Sequence, residues 1–211
     1  MESEGIKVEI NVEEFDRVAR EVFAPVYPVI AEQIKQKTGI TRGTCLDIGC
    51  GGGYLGIALA GITELFIYLF DKSPEMLEIA TRNIAGHGLQ KRARTLLGDV
   101  HEIPLKDQSV DLVISRGSIF FWENQQKAFQ EIYRVLAPKG AAFIGGGFGN
   151  AELKKLIDAR MGQKDRNWQE RINKNIGENA VETFVKTLGT AGISKFEINR
   201  GEAGLWITIW K

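Results

Sequence analysis

Residues 46–56 read LDIGCGGGYLG, with Asp47 two residues ahead of Gly49 and Cys50 inside the glycine run. Glycines this dense let the backbone lie against a ligand where side chains would clash. A helix starting behind them offers free N–H groups to a carboxylate or phosphate. Two registers fit. Gly51, Gly53 and Gly56 give Gly-x-Gly-x-x-Gly, the pyrophosphate loop of a dinucleotide enzyme. Asp47, Gly49, Gly51 and Gly53 give Asp-x-Gly-x-Gly-x-Gly. In that register the carboxylate suits an ammonium group, whereas it would repel a pyrophosphate. The plainer reading is a solvated acid at a strand end.

Two further acids bear on the choice. Asp71 closes IYLFD, where a carboxylate can accept from both hydroxyls of a ribose. Helix capping is the other role for such an Asp, but Ser73 already suits it. Both registers predict Asp71, so it supports an adenosine ligand without choosing between them. Asp99, in GDVH, is placed to accept from an adenine amine, with the Val100 backbone serving the ring nitrogen. That acid is foreign to the dinucleotide fingerprint. Asp47 and Asp99 together favour S-adenosylmethionine over NAD. Met76 suits the adenine face, though a buried Met is more often plain core.

Two other segments fall at the same edge. SRGSIFFWEN carries Arg116, Ser118 and the successive aromatics Phe120, Phe121 and Trp122, which cannot all face one core. A pocket wall is the candidate role for at least one of them. IGGGFGN holds Gly145, Gly146, Gly147, Phe148 and Gly149, read either as a flexible strand exit or as backbone close to the reacting centre. Gly147 and Phe148 are candidate pocket residues. His101 is the candidate general base, being one of two histidines and lying at the cofactor edge. His87 reads as a loop residue.

These residues need elements to hold them. Apolar positions at helical spacing run from Val12 to about Thr38, with Pro25 and Pro28 expected to split them into two helices. Thr44–Ile48, Leu65–Phe70, Ala93–Leu97, Val110–Ser115 and Ala141–Ile144 read as strands. Helices are expected over Tyr54–Ala60, from Pro74 to about Gly86, from Glu123 or Asn124 to Leu136, and over Val181–Ala191. Residues 1–11 read as a loose arm, and Asn150 to about Gly177 as a charged segment helical in pieces. Lys195–Asn199 and Leu205–Trp210, joined by RGEAG, read as an antiparallel hairpin. Alternating strands and helices predict an α/β fold, a parallel sheet with helices on both faces.

The chain has 211 residues, 44% of them hydrophobic, which suits one α/β domain with a core. Lys plus Arg and Asp plus Glu each number 27, so net charge gives no reason to bind nucleic acid or an acidic membrane. Cys45 and Cys50 read as free thiols of a reducing cytoplasm; they lack the spacing and His partners of a metal site. The N-terminus is acidic and polar, unlike a signal peptide, and no apolar run reaches membrane-spanning length.

LDIGCGGGYL, LFDKSPEML, LLGDVHEIPLKDQSVDLVIS and AFQEIYRVLAPKGAAFIGG, in this order and spacing, resemble the class I S-adenosylmethionine-dependent methyltransferases, in their type 11 small-molecule branch. The resemblance runs from about Thr44 to Ile144. It implies a Rossmann-like sheet of seven strands, the last antiparallel, in a single domain. Within it lie a helical cap (1–43), a cofactor core (44–149), a substrate cover (150–178), and a last helix with the hairpin (179–211). It implies S-adenosylmethionine as cofactor and methyl transfer to a small molecule. Asp47, Gly49, Gly51 and Gly53, with Cys50 between them, would hold the methionine moiety. Asp71 would hold the ribose, with Lys72 and Met76 beside the adenosine. Asp99 and Val100 would read the adenine, next to His101. Ser115 and Arg116 would pass beneath the methionine end. Phe23 and Tyr27 become lid candidates, and Trp168 a substrate-cover residue. SRGS departs from the Asn/Asp-Pro-Pro-aromatic motif of enzymes that methylate nucleobase amines, which argues against nucleic acid as acceptor. Two competing readings are an NAD-dependent oxidoreductase and a non-catalytic S-adenosylmethionine-binding module.

Overall fold

The computed structural model describes residues 11–211. The arm expected over residues 1–11 therefore lies outside the described residues, apart from Asn11. That residue caps α1 (Val12–Glu21) by accepting from the Glu14 N–H at 3.0 Å. The next helix, α2, spans Val26–Thr38. Its break from α1 falls at Val22–Pro25. Pro28, expected to interrupt, sits in the first turn of α2, where the N–H it lacks would have had no helical partner.

Seven strands follow: β1 (Thr44–Ile48), β2 (Phe66–Asp71), β3 (Ala93–Leu97), β4 (Val110–Arg116), β5 (Leu136–Gly147), β6 (Phe196–Gly201) and β7 (Gly204–Trp210). They form one sheet in the order β3-β2-β1-β4-β5-β7-β6. The first five run parallel, and β7 lies antiparallel between β5 and β6. The closing hairpin is thus inserted into the sheet as expected. β5 is longer than the expected Ala141–Ile144. Its N-terminal half bends at Lys139 (φ 68°), whose N–H donates to the Lys211 carbonyl at 2.8 Å.

The helices after the strands are α3 (Tyr54–Ile62), α4 (Pro74–Gly86), α5 (Gln125–Val135), α6 (Ala151–Lys164), α7 (Trp168–Ile176) and α8 (Glu178–Thr190). A 3₁₀ turn, Ser118–Phe121, follows β4. α2, α3 and α4 pack side by side on one face of the sheet; α5 and α8 pack together on the other. Central strands covered on both sides carry fully buried apolar residues, among them Leu46, Ile67, Leu69, Leu112, Ile114 and Ile144. The charged segment after Asn150 resolves into α6 and α7. Among the described residues no helix is long and apolar enough to cross a membrane.

This order places β1 beside β4 while the chain proceeds outward to β2 and β3 on one side and to β5 on the other. The crevice over such a switch point, at the carboxyl ends of the strands, is where ligands bind in open α/β sheets.

Candidate functional site

The β1 exit is a cradle of backbone. Gly49, Gly51 and Gly53 have φ of 64°, 52° and 81°, a region that costs other residues strain. Two of them are backed by side chains: Gly49 by Ser118, and Gly53 by Leu69, whose Cδ1 would lie 2.5 Å from a Cβ placed there. Gly51 has room for a Cβ instead. The nearest atoms to a Cβ built on it are Phe15 Cε1 at 3.9 Å and Met76 Sδ at 4.0 Å. α1 and α4 therefore form the two lips of a slot whose floor is Gly51.

Acids surround the slot. Asp71 accepts from the Gly51 N–H at 2.9 Å and, on its other oxygen, from the Ser73 N–H at 3.0 Å. Asp47 is buried and accepts from the Gly56 N–H at 2.9 Å. Burial raises its pKa to about 7. The Gly56 hydrogen bond opposes this, and the nearby Asp71 adds to it. A buried acid poised there is stabilised in its ionised form by a ligand cation. Asp99, at the β3 exit, accepts from the His101 N–H at 2.8 Å and pairs with the His101 ring. Partial desolvation pushes Asp99 up, but His101 and Lys72 outweigh it and hold the carboxyl below its usual range. Val100 is buried beside it, whereas the Lys72 side chain is exposed. Cys50 keeps its proton, because burial and the two acids Asp47 and Asp71 push its thiol up.

His101 is fully engaged. Its Nε2 accepts from the Asn124 N–H at 3.1 Å, so the ring proton of the neutral form sits on Nδ1, facing Asp99. In this arrangement the ring ties the β3 exit to the start of α5 and has no nitrogen open to a reacting group.

The β4 and β5 exits build the other half. Ser115 is fully buried, and its hydroxyl reaches the Ile48 carbonyl at 2.8 Å. Ser118 reaches the same oxygen at 3.0 Å and stands 2.7 Å from Ser115. These hydroxyls brace the glycine cradle from below. The half-buried Arg116 donates from Nε to the Gly147 carbonyl at 3.0 Å. Its guanidinium lies 4.4 Å from the centre of the Phe23 ring, 5.7 Å from Tyr27 and 6.0 Å from Phe148. Trp168 closes the group, its ring 6.3 Å from Phe23 and 6.1 Å from Phe148, with its indole N–H donating to Asp158 at 2.8 Å. Four expected pocket residues from three parts of the chain thus meet around Arg116.

The three successive aromatics separate. Phe120 packs over Gly146; Trp122 is buried edge-on against Phe129, with its indole N–H on Ser118. Phe121 is 63% exposed. The expectation of a pocket role therefore does not hold for Phe121, which faces solvent, or for Trp122, which is core. The glycines of β5 have a reason that neither sequence reading weighed. A Cβ at Gly147 would meet the Trp206 indole at 2.5 Å, and one at Gly145 would meet the Leu205 carbonyl at 2.1 Å and the Trp206 indole at 3.0 Å, because β7 lies across them.

Residues 46–144 match the model of a family described as "Methyltransferase domain". A crystal structure from Methanococcus maripaludis, assigned to the S-adenosyl-L-methionine-dependent methyltransferases, is 48% identical. The match covers 95% of this chain and 91% of that one, with a TM-score of 0.92. This chain belongs to the S-adenosylmethionine-dependent methyltransferases. The methyltransferase YdaC of Bacillus subtilis, itself uncharacterised, is 34% identical over 50% of this chain and 58% of its own. The demethylmenaquinone methyltransferase of Lactobacillus johnsonii is 38% identical over 47% of this chain and 41% of its own. The chain thus spans about half the length of these curated relatives.

A Cβ at Gly56 would meet Leu69 at 2.6 Å and Asp47 and Ile67 at 3.0 Å. Gly56 faces the sheet and lets α3 settle on β2, a packing role that either register of the glycine loop allows. The cradle fits the family's cofactor, with glycine backbone around a slot, a buried acid beside it and acids at the next two strand exits. Several supporting residues escaped the sequence reading. Phe15 of α1 approaches Gly51 from the side opposite Met76. Tyr54 holds Asp16 of α1 at 2.7 Å, and Asn83 donates to the Gly52 carbonyl at 2.8 Å. Glu131 and Arg134 of α5 clamp the loop after β3. Glu131 accepts from the Ile103 N–H at 3.0 Å, and Arg134 donates to the Leu105 and Ile103 carbonyls. Their signal was an acid and an arginine three apart on a predicted helix, which alone reads as an ordinary surface pair.

Proposed function

We propose that this chain transfers the methyl group of S-adenosylmethionine to a small-molecule acceptor in the cytoplasm. The observation that carries the reading is the row of Asp47, Asp71 and Asp99 at three successive strand exits around Gly51. In this reading the cradle of Gly49, Gly51 and Gly53, with Cys50, holds the methionine end, and Asp47 faces its ammonium. Asp71 exchanges its backbone partners for the ribose hydroxyls. Met76 and Val100 flank the adenine, Asp99 reads its amine, and Lys72 lies at the rim. Ser115 and Arg116 form the floor toward the acceptor.

Bound there, the cofactor supplies a methyl group already activated by its positive sulfur. The protein's own task is then to orient the acceptor and exclude water, and positioning alone can lower such a barrier by several kcal/mol (~7–11). Phe23, Tyr27, Phe148 and Trp168 supply apolar walls, and Gly147 anchors Arg116. His101 acts as a positioning residue for Asp99 and removes no proton.

Calorimetry with S-adenosylmethionine, S-adenosylhomocysteine and NAD tests the cofactor half, with the first two expected to bind and NAD not. Tight NAD binding with no response to the others would sink the reading. Incubating a metabolite extract with labelled methyl donor tests the acceptor half. Persistent failure to label a small molecule would leave a binding module.

A further inference from the structure

Arg116 differs from the other half-buried arginines, Arg92 and Arg134. Arg92 gives both terminal nitrogens to the Thr63 and Ala60 carbonyls. Arg134 is satisfied by Glu131, Asp107 and two carbonyls. Arg116 uses Nε alone. Among the described residues, no carboxylate lies within 4 Å of its guanidinium and no acceptor is bonded to its terminal nitrogens. It is instead set among the faces of Phe23, Tyr27 and Phe148. A guanidinium removed from water without an anion is costly. The planar fork of N–H groups left free matches a carboxylate.

The rest of the wall narrows the ligand. Lys154 lies 5.6 Å from the centre of the Phe148 ring, but its charge is taken up by Asp158, which also holds Trp168. Tyr27 stacks on Tyr54 at 5.5 Å, and Asp16, which accepts from Tyr54, is offset by Arg20 at 3.9 Å. One unit of positive charge therefore remains in a wall otherwise aromatic. That suits a single carboxylate on an apolar body; a phosphate dianion would call for a second free cation.

Resting on the methyltransferase reading above, we propose that the methyl acceptor is a small aromatic or alkyl monocarboxylate whose carboxylate pairs with Arg116 while Phe23, Phe148 and Trp168 enclose its apolar part. The cofactor's own carboxylate is the other source of the same chemistry, so the experiment must separate the two.

Bind S-adenosylhomocysteine to the wild-type protein by calorimetry, then titrate the saturated complex with a panel of carboxylates and their neutral amides: phenylacetate, 4-hydroxybenzoate and octanoate. At least one carboxylate is expected to bind about tenfold or more tightly than its amide, the contrast typical of a charge-assisted pair. Arg116→Met should remove that preference and Arg116→Lys should keep part of it, with S-adenosylhomocysteine affinity within about twofold of wild type in both. Failure of the wild-type protein to bind S-adenosylhomocysteine would defeat the methyltransferase reading itself. Binding of it with no carboxylate favoured over its amide would overturn the acceptor assignment alone. So would an Arg116→Met protein that loses S-adenosylhomocysteine affinity tenfold while still binding adenosine, since the arginine would then serve the cofactor. The wild-type comparison of acid with amide stands even if the variants fold poorly.

Discussion

The Asp47 carboxylate accepts the N–H of Gly56 at 2.9 Å, and a Cβ at position 56 would stand 3.0 Å from that same oxygen. The acid at the end of β1 and the glycine in the first turn of α3 are one unit: among the described residues the glycine gives the acid its only backbone partner, and the acid leaves the glycine no room to grow.

Gly56→Ala should therefore destabilise the protein by about 1–3 kcal/mol through overpacking against Leu69, Ile67 and Asp47. Chemical denaturation checks this, and a change within experimental error would mean that α3 can ride away from the sheet.

Asp47 is raised from 3.8 to about 7 in the folded protein. Between those values the unfolded chain is ionised while the fold keeps its proton. Stability from this group therefore falls as pH rises from about 4 to 7 and is flat above. The whole effect is on the order of 4 kcal/mol at most. Asp47→Asn should flatten this part of the melting-temperature profile and raise the melting temperature at pH 8. If Asp47 faces the cofactor ammonium, wild-type affinity for S-adenosylhomocysteine should climb between pH 6 and 8, with proton release on binding, and the Asn variant should lose both.

Glu131 behaves oppositely. The Arg134 hydrogen bond, opposed by desolvation and helped by the Ile103 N–H, holds it at about 2. Its contribution is present above the ordinary value of 4.5 and lost as pH falls toward 2, amounting to about 3 kcal/mol at most. Glu131→Gln should shift acid unfolding to higher pH. Faster hydrogen exchange at Ile103 and Glu102 would locate the loss in the loop after β3, and an unchanged acid transition would remove the clamp from the account.

Asp71→Ala should weaken S-adenosylhomocysteine binding by about 1–3 kcal/mol, since charge-assisted hydrogen bonds to the ribose would go. The Ser73 N–H it now satisfies is part-exposed and can turn to water, whereas the buried Gly51 N–H loses its partner, so the melting temperature should fall together with the affinity. Equal affinity in the variant would place the ribose elsewhere.

The cofactor half of the site was legible because its determinants are local. A strand buried on both faces reads as an apolar run, and the acid or glycine that ends it is visible at the next position, as in IYLFD and LDIG. Ser73 followed by Pro74 announces the start of α4 equally plainly, and Ser73 caps it. Pro28 misled because a proline breaks a helix interior but fits its first turn, and the spacing does not say which turn it occupies. The aromatic box was harder. Phe23, Phe148 and Trp168 meet across more than 140 residues of chain, and nothing local separates the enclosed Phe148 from the exposed Phe121. The β5 glycines were opaque for a related reason: their explanation, Trp206, arrives only once β7 is threaded beside them.

The division of the sheet edge has a consequence for how such a protein can change. The acid row and glycine cradle are carried by β1, β2 and β3. The aromatic walls come from the α1–α2 connection and α2, the β5 exit and α7, and the two groups are joined under the floor by Ser115 and Ser118 on the Ile48 carbonyl. A substitution at Phe23, Phe148 or Trp168 should alter the second group and leave the hydrogen bonds of the first in place. A lineage, or an engineer, can therefore redraw one wall of the chamber while the opposite wall keeps its register.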